Sequence, residues 1–451
     1  MSRIFSRTKE LGLLICSALL LLLMLFGLEM SQGRAMSGAM LWLVGGFIGV
    51  YAIAHLAICL AAPHADQVLL PVVATLNAIG LVIIYRLDLA QRPGYGALAD
   101  RQVLWSFAGV VLLVLTLVIV RDHKSLSRYS YLLGVLGLFF LALPLVWPQP
   151  AEFADARIWI WIGPFSIQPG EFSKILLLIF FAQLLAQKRS LFTVAGKRFA
   201  GLVFPRLRDL APILVVWAIA ILIMAISNDF GPALLLFATV LAMVYYATGR
   251  TSWLVIGLGL VALGGYTVYQ VSDKIQERVT NFIDPLANYD TTGYQPSQAL
   301  FGLSWGGVTG VGLGHGHPEL VPVAHSDYIL AAIGEELGLV GLAAVLCLFL
   351  IFVNRGFRAA MQVRDSYGKL LAAGLATTII IQIFVVTGGV SALMPMTGLT
   401  TPFMSAGGSA IMANYILLGL LLRISNSANR PADVDESASI STATAPAEVA
   451  R

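Results

Sequence analysis

Charged residues are scarce in this chain: Asp, Glu, Lys and Arg make up 12% of its 451 residues, whereas hydrophobic residues make up 58%. This composition, with a mean hydropathy of +0.84, excludes a water-soluble globular protein. Cysteine is scarcer still, and Cys16, Cys59 and Cys347 each fall within an apolar run. That placement excludes a disulfide framework and predicts three small core residues.

Two chemical motifs are also missing. The glycines at 310, 312, 314 and 316 are not followed by Lys-Ser or Lys-Thr, which excludes a phosphate-binding P-loop. We expect these glycines to let the backbone turn tightly beside a ligand. No group of His, Cys and Asp has the spacing of zinc ligands. A divalent cation held loosely between carboxylates and a substrate diphosphate is still compatible with the sequence.

Long apolar runs dominate the chain, and about 20 apolar residues suffice for a helix that crosses a membrane. A helical fold is expected, because every backbone polar group in lipid must be satisfied within the protein. We predict an all-α polytopic protein with about twelve transmembrane helices and a large outer loop between helices 9 and 10. The predicted spans are 11–28, 40–62, 68–85, 103–120, 131–147, 172–187, 210–227, 232–248, 253–271, 328–353, 370–389 and 410–424.

The distribution of positive charge predicts the orientation. With the N-terminus in the cytoplasm and twelve alternating spans, the cytoplasmic segments hold 20 of the 28 Lys and Arg residues and the outer loops hold seven. The positive-inside rule therefore predicts cytoplasmic termini and places segments 148–171, 272–327 and 390–409 on the outer face of the cytoplasmic membrane.

Ionisable side chains near the outer helix ends are the candidate functional groups, because such groups are costly at membrane depth. Glu171 and Lys174 are three residues apart on a helix and can pair, either for function or to fix helix packing. Asp229 is followed by Phe230, Gly231 and Pro232. This pattern is compatible with a turn that caps the next helix and also with a functional carboxylate. The Glu335-Glu336 pair lies in the same region.

Asp327 is the strongest candidate, since it opens an apolar run and would face the loop of glycines. A helix cap and a catalytic base are both compatible with this position. His325 is either a second acid or base or an ordinary loop residue. The segment 157–163 alternates apolar residues, so Trp159 belongs either to an interfacial aromatic belt or to a glycolipid site.

Several separated motifs resemble, in order, those of the SEDS proteins (shape, elongation, division and sporulation), which are membrane polymerases of bacterial cell-wall precursor. Trp159 and residues 167–174 (IQPGEFSK) are similar to the family's tryptophan and its IQP-x-E-x-x-K motif. The other matches are 229–231 (DFG), 294–298 (YQPSQ), 325–329 (HSDYI), 334–338 (GEELG), 397–400 (TGLT) and 407–409 (GGS). The resemblance covers the chain from about Pro71 to Ser425.

The resemblance implies extra transmembrane helices at 1–67 and a catalytic core at 68–424. Residues 425–451 are rich in Ser, Ala, Thr and Pro and have too few apolar residues to pack, which predicts a disordered cytoplasmic tail. Twelve spans exceed the family's usual ten. Ala406 and Ala410 stand where the family usually has a tyrosine and a serine. The segments 388–390 (GGV) and 191–193 (LFT) favour the RodA branch, of actinobacterial type, over the FtsW branch.

The function implied by the resemblance is that of a peptidoglycan glycosyltransferase. It would polymerise lipid II, a disaccharide-pentapeptide on undecaprenyl diphosphate, at the outer face of the membrane during elongation or division. Asp327 matches the family's catalytic aspartate and would be the general base of an inverting transfer. The one cofactor compatible with the residues is a divalent cation, Mg or Mn, near Glu171 and Asp327. Supporting or binding roles are expected for Glu171, Lys174, Arg157, Trp159, Asp229, Gln298, His325 and Ser409.

The resemblance also implies partners: lipid II as substrate, a class B penicillin-binding protein as transpeptidase, other proteins of the elongation or division complex, and no nucleic acid. Two other functions are compatible with the residues. A lipid II flippase would need a hydrophilic lining along its whole path, whereas the candidate groups cluster at outer helix ends. A scaffold without catalysis would leave the outer carboxylates unexplained.

Overall fold

A computed structural model describes residues 7–34, 37–90, 96–148, 157–163, 165–193, 197–199, 202–204 and 207–430 of the chain. The described chain is almost entirely helical, with two short antiparallel hairpins. The prediction of an all-α polytopic protein is confirmed.

The helices follow the predicted apolar runs closely. They are α1 Thr8–Ser31, α2 Gly38–Ala61, α3 Leu69–Leu89, α4 Leu98–Ile119, α5 His123–Arg128, α6 Ser130–Val146, α7 Pro169–Thr193, α8 Leu207–Ile226, α9 Phe230–Thr248, α10 Ser252–Val271, α11 Asp273–Ile283, α12 Tyr294–Gly306, α13 Ile329–Gln362, α14 Ser366–Val390 and α15 Gly408–Ala428. A 3₁₀ turn spans Pro318–Leu320, and the hairpins are β1 Ile160–Ile162 with β2 Phe165–Ile167, and β3 Lys197–Phe199 with β4 Leu202–Phe204.

Ten of the described helices are long and apolar enough to cross a membrane. Two further predicted spans correspond to shorter apolar helices, α6 and the Leu214–Ile226 part of α8. The chain is thus a multi-pass membrane protein, while the count of twelve crossings stays a prediction for these two helices. Pro144 inside α6 removes a backbone donor near the end of that helix.

The helices differ greatly in how much of their surface the protein covers. In α3, 94% of the most apolar stretch is buried, so this helix lies at the centre of the bundle. In α10 the share is 6%, so nearly its whole apolar surface faces outward. A helix that is apolar on all sides is stable in water only when buried, and the outward Leu, Val and Tyr side chains of α10 therefore indicate contact with lipid.

The backbone of α13 breaks at Gly338, whose φ of +67° and ψ of −169° lie outside the helical region. The predicted span 328–353 is present within Ile329–Gln362, but it consists of two helices that meet at this break. A first helix covers 329–337, with every residue from 329 to 336 buried, and a second covers 339–362, with Leu339 and Val340 exposed. Glycine is required at the break because other residues rarely adopt this conformation.

The break is sealed by the segment that we call the glycine loop, residues 306–316. Its amides at Val311 and Gly312 donate to the carbonyls of Glu335 and Glu336, each at 3.0 Å. In return, the amides at 339 and 340 donate to the carbonyls of Gly307 and Val308, at 3.0 and 3.1 Å. Two irregular segments therefore satisfy each other's backbone groups.

The two N-terminal helices are joined at one end by a buried polar cluster. Glu10 of α1 pairs with Arg7 and, at 2.6 Å, with His55 Nδ1 of α2. The Arg7 guanidinium also donates to the carbonyl of Ala65 at 2.7 Å. Arg7 is fully buried within this cluster.

Two smaller predictions also need correction. Only Cys59 is buried, whereas Cys16 and Cys347 are exposed on the bundle surface, so they are not core residues. Helix α15 continues to Ala428 and buries Ser425, so the tail cannot begin at 425. The rest of the predicted tail, residues 431–451, lies outside the described residues.

The seal around Gly338 can be tested by substitution. Gly338→Ala should lower the melting temperature in detergent, because the positive φ alone costs about 1–3 kcal/mol. A Cβ there would also overlap the backbone of Val308 and Gly310. Gly264→Ala is the matched control: its added Cβ meets open space within a helix, where alanine is favoured by up to about 1 kcal/mol. Equal melting temperatures for the two variants would contradict this account.

Candidate active site

An open cleft of about 1060 Å³ lies where the end of α8, the start of α9, and the ends of α10 and α14 meet helices α11 and α12. All of these parts belong to the face that the charge distribution assigns to the outside. The charged residues that line the cleft are Arg157, Asp273, Lys274, Glu277, Arg278 and Asp327. The cleft is therefore a polar site with both acidic and basic groups.

Asp327 lies in the wall of this cleft, immediately before the buried first part of α13. The N-cap position of that helix is Tyr328 and has no side-chain cap, so the capping role considered for Asp327 is not observed. Burial raises the pKa of Asp327 to about 6, while a backbone hydrogen bond and the Arg278 guanidinium oppose the rise. A carboxylate with this pKa is mostly ionised at neutral pH and can accept a proton.

Backbone contacts fix the segment around Asp327. The carbonyl of His325 accepts the amide of Ala406 at 2.8 Å, and the carbonyl of Ser326 accepts the Ser405 hydroxyl. Burial lowers the pKa of His325, which favours the neutral imidazole. The loop 390–409 thus holds the backbone immediately before Asp327.

Sequence reasoning missed the two cations of α11, which it had counted only as outer-loop charges. Lys274 and Arg278 are four residues apart and share a face of this helix toward the cleft. Arg278 donates to the carbonyl of Thr397 at 3.1 Å, and Lys274 Nζ lies 3.4 Å from the carbonyl of Asn228. The four-residue spacing of these cations, a few residues before Asp284-Pro285, is the signal that could have revealed them.

The predicted pair of Glu171 and Lys174 forms, with 2.6 Å between Nζ and Oε2. Both side chains are about nine-tenths buried. Glu171 lies in the first turn of α7, where the helix dipole favours a negative charge. The pair lines a separate internal cavity of about 30 Å³, room for roughly one water molecule.

Asp229 lies between this pair and the cleft. It occupies the N-cap position of α9, but its side chain makes no cap hydrogen bond, so the capping alternative is not observed. Burial and the nearby Glu171 raise the pKa of Asp229 to about 6, and Lys274 and Arg278 oppose the rise. Asp229 therefore connects the two groups of charges electrostatically.

The remaining candidates are dispersed. Arg157 is exposed and lines the cleft. Trp159, which directly precedes β1, is half-buried. Gln298 donates to Tyr289 Oη at 2.7 Å and does not line the cleft, whereas Gln295 does. Ser409 is buried and accepts the amide of Gln168 at 2.9 Å, which joins α15 to the start of α7.

The glycine loop does not face Asp327, which corrects the expected arrangement. Its glycines approach the backbone of the α13 break, and Gly314 also contacts Gln32 after α1, whose amide donates to its carbonyl at 2.6 Å. The carboxylates of Glu335 and Glu336 accept amides of His317 and Gly314. Arg86 reaches Glu336 at 3.1 Å, so this acidic pair is a structural anchor of the loop.

Glu171 and Asp327 line different cavities. Within the part of the chain that the structure describes, no group of three or more His, Cys, Asp or Glu residues could hold a metal ion. The residues near these two carboxylates therefore do not fit an ion held by protein ligands. A more loosely held Mg or Mn ion stays a prediction.

The chain is similar to known proteins over most of its length. A family model described as a cell cycle protein of the FtsW, RodA and SpoVE type matches residues 66–430. The chain belongs to this family. Among its relatives, the peptidoglycan glycosyltransferase RodA of Mycobacterium leprae is 49% identical over 432 residues, or 94% of this chain and 91% of that protein. Stage V sporulation protein E of Bacillus subtilis is 31% identical, covering 80% and 96%.

A solved structure shows the same fold. A chain from a peptidoglycan synthase complex that coordinates polymerisation and crosslinking superposes with a TM-score of 0.64 and 25% identity, covering 81% of this chain and 98% of that chain. The FtsW, RodA and SpoVE family match begins at residue 66, whereas the mycobacterial match at 94% coverage must include most of residues 1–65. The helix α2 at least is thus shared with the mycobacterial proteins.

The contribution of the buried pair in α7 can be measured by thermal unfolding in detergent. Lys174→Met should lower the melting temperature, because breaking a buried pair costs about 3–5 kcal/mol when one charge is left behind. Combining it with Glu171→Gln removes both charges and should restore much of the loss. A double variant no more stable than the single one would show that the pair does not stabilise the fold.

Proposed function

We propose that the cleft polymerises lipid II into glycan strands at the outer face of the cytoplasmic membrane, with Asp327 as the general base. The observation that carries this proposal is the position of Asp327 in a large polar cleft together with the cations Lys274 and Arg278. The chain is a peptidoglycan glycosyltransferase, as its family and its near relatives indicate.

The proposed reaction joins two sugars. The Asp327 carboxylate takes the proton from the 4-hydroxyl of the acceptor sugar as that oxygen bonds to the anomeric carbon of the donor. The bond from this carbon to the diphosphate oxygen breaks on the opposite face, so the configuration inverts. General-base assistance of this kind typically contributes about 10²- to 10⁴-fold.

The departing undecaprenyl diphosphate carries the developing negative charge. Lys274, Arg278 and Arg157 are the cations that line the cleft, and they would stabilise that charge. The carbonyl contacts of Lys274 and Arg278 hold both ammonium and guanidinium groups in place before substrate arrives. Preorganised charges stabilise a transition state without reorganising during the reaction.

The Glu171 and Lys174 pair and Asp229 would support this site. The pair fixes the start of α7, and Asp229 places a carboxyl group between it and the cations of α11. We assign these residues to positioning and not to proton transfer, because the pair lines the small internal cavity instead of the cleft.

A lipid II flippase fits the arrangement less well. The cavity that Glu171, Lys174 and Asp229 line has a volume of only about 30 Å³, which is too small for the headgroup of a lipid to pass. The charged groups of the cleft lie at one end of the described bundle, whereas a flippase needs hydrophilic groups across the membrane. A polymerase that receives lipid II at the outer face requires only the arrangement described.

The biological setting follows from the relatives. The similarity to mycobacterial RodA favours action in cell elongation and shape control. The solved chain with the same fold comes from a synthase complex that also crosslinks. We therefore propose a class B penicillin-binding protein as partner, with the termini of this chain in the cytoplasm.

The base assignment predicts the effect of one substitution. Asp327→Asn should lower polymer formation from purified lipid II by about 10²- to 10⁴-fold, because it removes the proton acceptor and preserves the shape. Lipid II binding and the melting temperature should stay close to those of the wild type. Asp290→Asn, at an exposed acid of the outer segment, is the matched control and should leave polymerisation unchanged. Polymer yield from Asp327→Asn near the wild-type level would disprove the assignment.

The pKa of Asp327 predicts the pH dependence. The base acts when deprotonated, so polymerisation should fall as pH drops through about 6. Arg278→Gln removes a nearby positive charge that favours the carboxylate, so it should move the acid limb to higher pH as well as slow the reaction. Arg101→Gln, an exposed outer residue away from the cleft, should leave the limb in place. An acid limb that stays fixed or moves to lower pH in Arg278→Gln would contradict the coupling.

A further inference from the structure

A second cavity, of about 820 Å³, lies at the opposite end of the bundle from the cleft. It is formed where α2 and α4 end, at Ala61 and Ile119, and where α15 ends at Ala428. The cleft lies at the other end of the membrane helices, since α14 begins beside this end and finishes in the cleft wall. The charge distribution assigns the second cavity to the cytoplasmic face.

The lining of this cavity is basic. Arg121, Arg423, Arg430 and His64 contribute to it, and its described lining contains no Asp or Glu. Arg121 and Arg430 are exposed, and their side chains make no hydrogen bond or ion pair with a described residue. Two arginines thus face a concave surface with their donors available.

The carboxylates nearest in the sequence are engaged elsewhere. Asp66 lies 3.4 Å from Arg355 and accepts the amide of Val68 at 2.8 Å. Asp122 accepts the amide of Lys124 at 3.0 Å and lies 3.3 Å from His123 Nδ1. Neither lines the cavity. Asp122 acts electrostatically on Arg423, whereas Arg121 and Arg430 form no ion pair with a carboxylate among the described residues.

The wall of the cavity is held in place by hydrogen bonds between the helix ends. Arg423 is 6% exposed, and its guanidinium donates to the carbonyls of Ala61, at 2.8 Å, and Leu117, close to where α2 and α4 end. Side chains of α15 also hold the loop after α2. The Asn426 side-chain oxygen, Oδ1, accepts the backbone amide of His64 at 2.9 Å, and the side-chain amide of Asn429, just after the helix, donates to the His64 carbonyl at 3.1 Å.

An apolar track leads from the membrane surface of α2 to this cavity. Ile53, Leu56 and Leu60 lie three and four residues apart on one face of the helix. Their side chains are 45%, 47% and 64% exposed, and Leu60 also lines the cavity. A soluble anion would gain nothing from contact with these apolar side chains, whereas the acyl chain of a lipid would pack along them.

We propose that this basic cavity binds the phosphate headgroup of an anionic phospholipid of the cytoplasmic leaflet, with an acyl chain along the exposed face of α2. Arg121 and Arg430 would pair with the phosphate, and Arg423 would hold the helix ends that form the wall. Basic pockets between transmembrane helices on the cytoplasmic side are suited to such headgroups. The site is remote from the cleft and does not depend on the proposed catalytic mechanism.

The test uses the full chain reconstituted in nanodiscs of phosphatidylcholine mixed with phosphatidylglycerol, followed by gentle extraction and native mass spectrometry of the retained lipid. Wild-type protein should retain phosphatidylglycerol in preference to phosphatidylcholine. The double variant Arg121→Gln with Arg430→Gln should weaken retention by roughly 30-fold, from about a fivefold effect for each arginine. The matched control, Arg358→Gln with Arg364→Gln, removes two exposed arginines outside the cavity on the same face and should retain the lipid normally.

A second arm separates the two sources of phosphate. Wild-type protein in lipid-free detergent is titrated with inorganic phosphate or with short-chain phosphatidylglycerol, and the melting temperature is followed. Stabilisation by the lipid alone supports the proposal. Equal stabilisation by inorganic phosphate would overturn it in favour of a soluble anion. Equal lipid retention by the double variant and its control would overturn it as well.

Discussion

The satisfaction of backbone hydrogen bonds inside a membrane is the constraint on which the rest of this structure depends. A chain that leaves the helical conformation at Gly338 exposes carbonyl and amide groups that lipid cannot satisfy. The glycine loop supplies their partners in both directions, and the carboxylates of Glu335 and Glu336 hold the loop by its amides. The first part of α13 is thereby fixed within the protein, and Asp327 at its start is held at the cleft.

The apolar runs predicted most helix ends within about five residues, with the ends of α7 and α13 as exceptions, because the length of a membrane span is a property of local composition. The break at Gly338 was not predictable in this way. Apolar residues continue on both sides of it, so hydropathy does not change where the backbone does. The exposed positions of Cys16 and Cys347 were missed for a related reason: lipid accepts an apolar side chain as readily as a protein core does.

The candidate site was predicted in part. A resemblance in sequence pointed to Asp327, and the three-residue spacing of Glu171 and Lys174 was enough to predict their pair, because both residues lie in one helix. Lys274 and Arg278 were missed because their role depends on contacts across more than 45 residues with Asn228 and Thr397. The glycine loop was assigned to the wrong neighbour, since the need for glycine does not reveal which backbone approaches it.

One carbonyl oxygen, that of Thr397, joins two motifs that are far apart in the chain. It accepts a hydrogen bond from Arg278, and it lies 2.6 Å from where a Cβ on Gly231 would stand. A side chain at 231 would push this oxygen away and so reposition a guanidinium in the cleft without touching it. The residues at positions 231, 278 and 397 are therefore coupled through this oxygen. As the sequence diverges, a substitution at one of these positions should restrict which residues the other two accept.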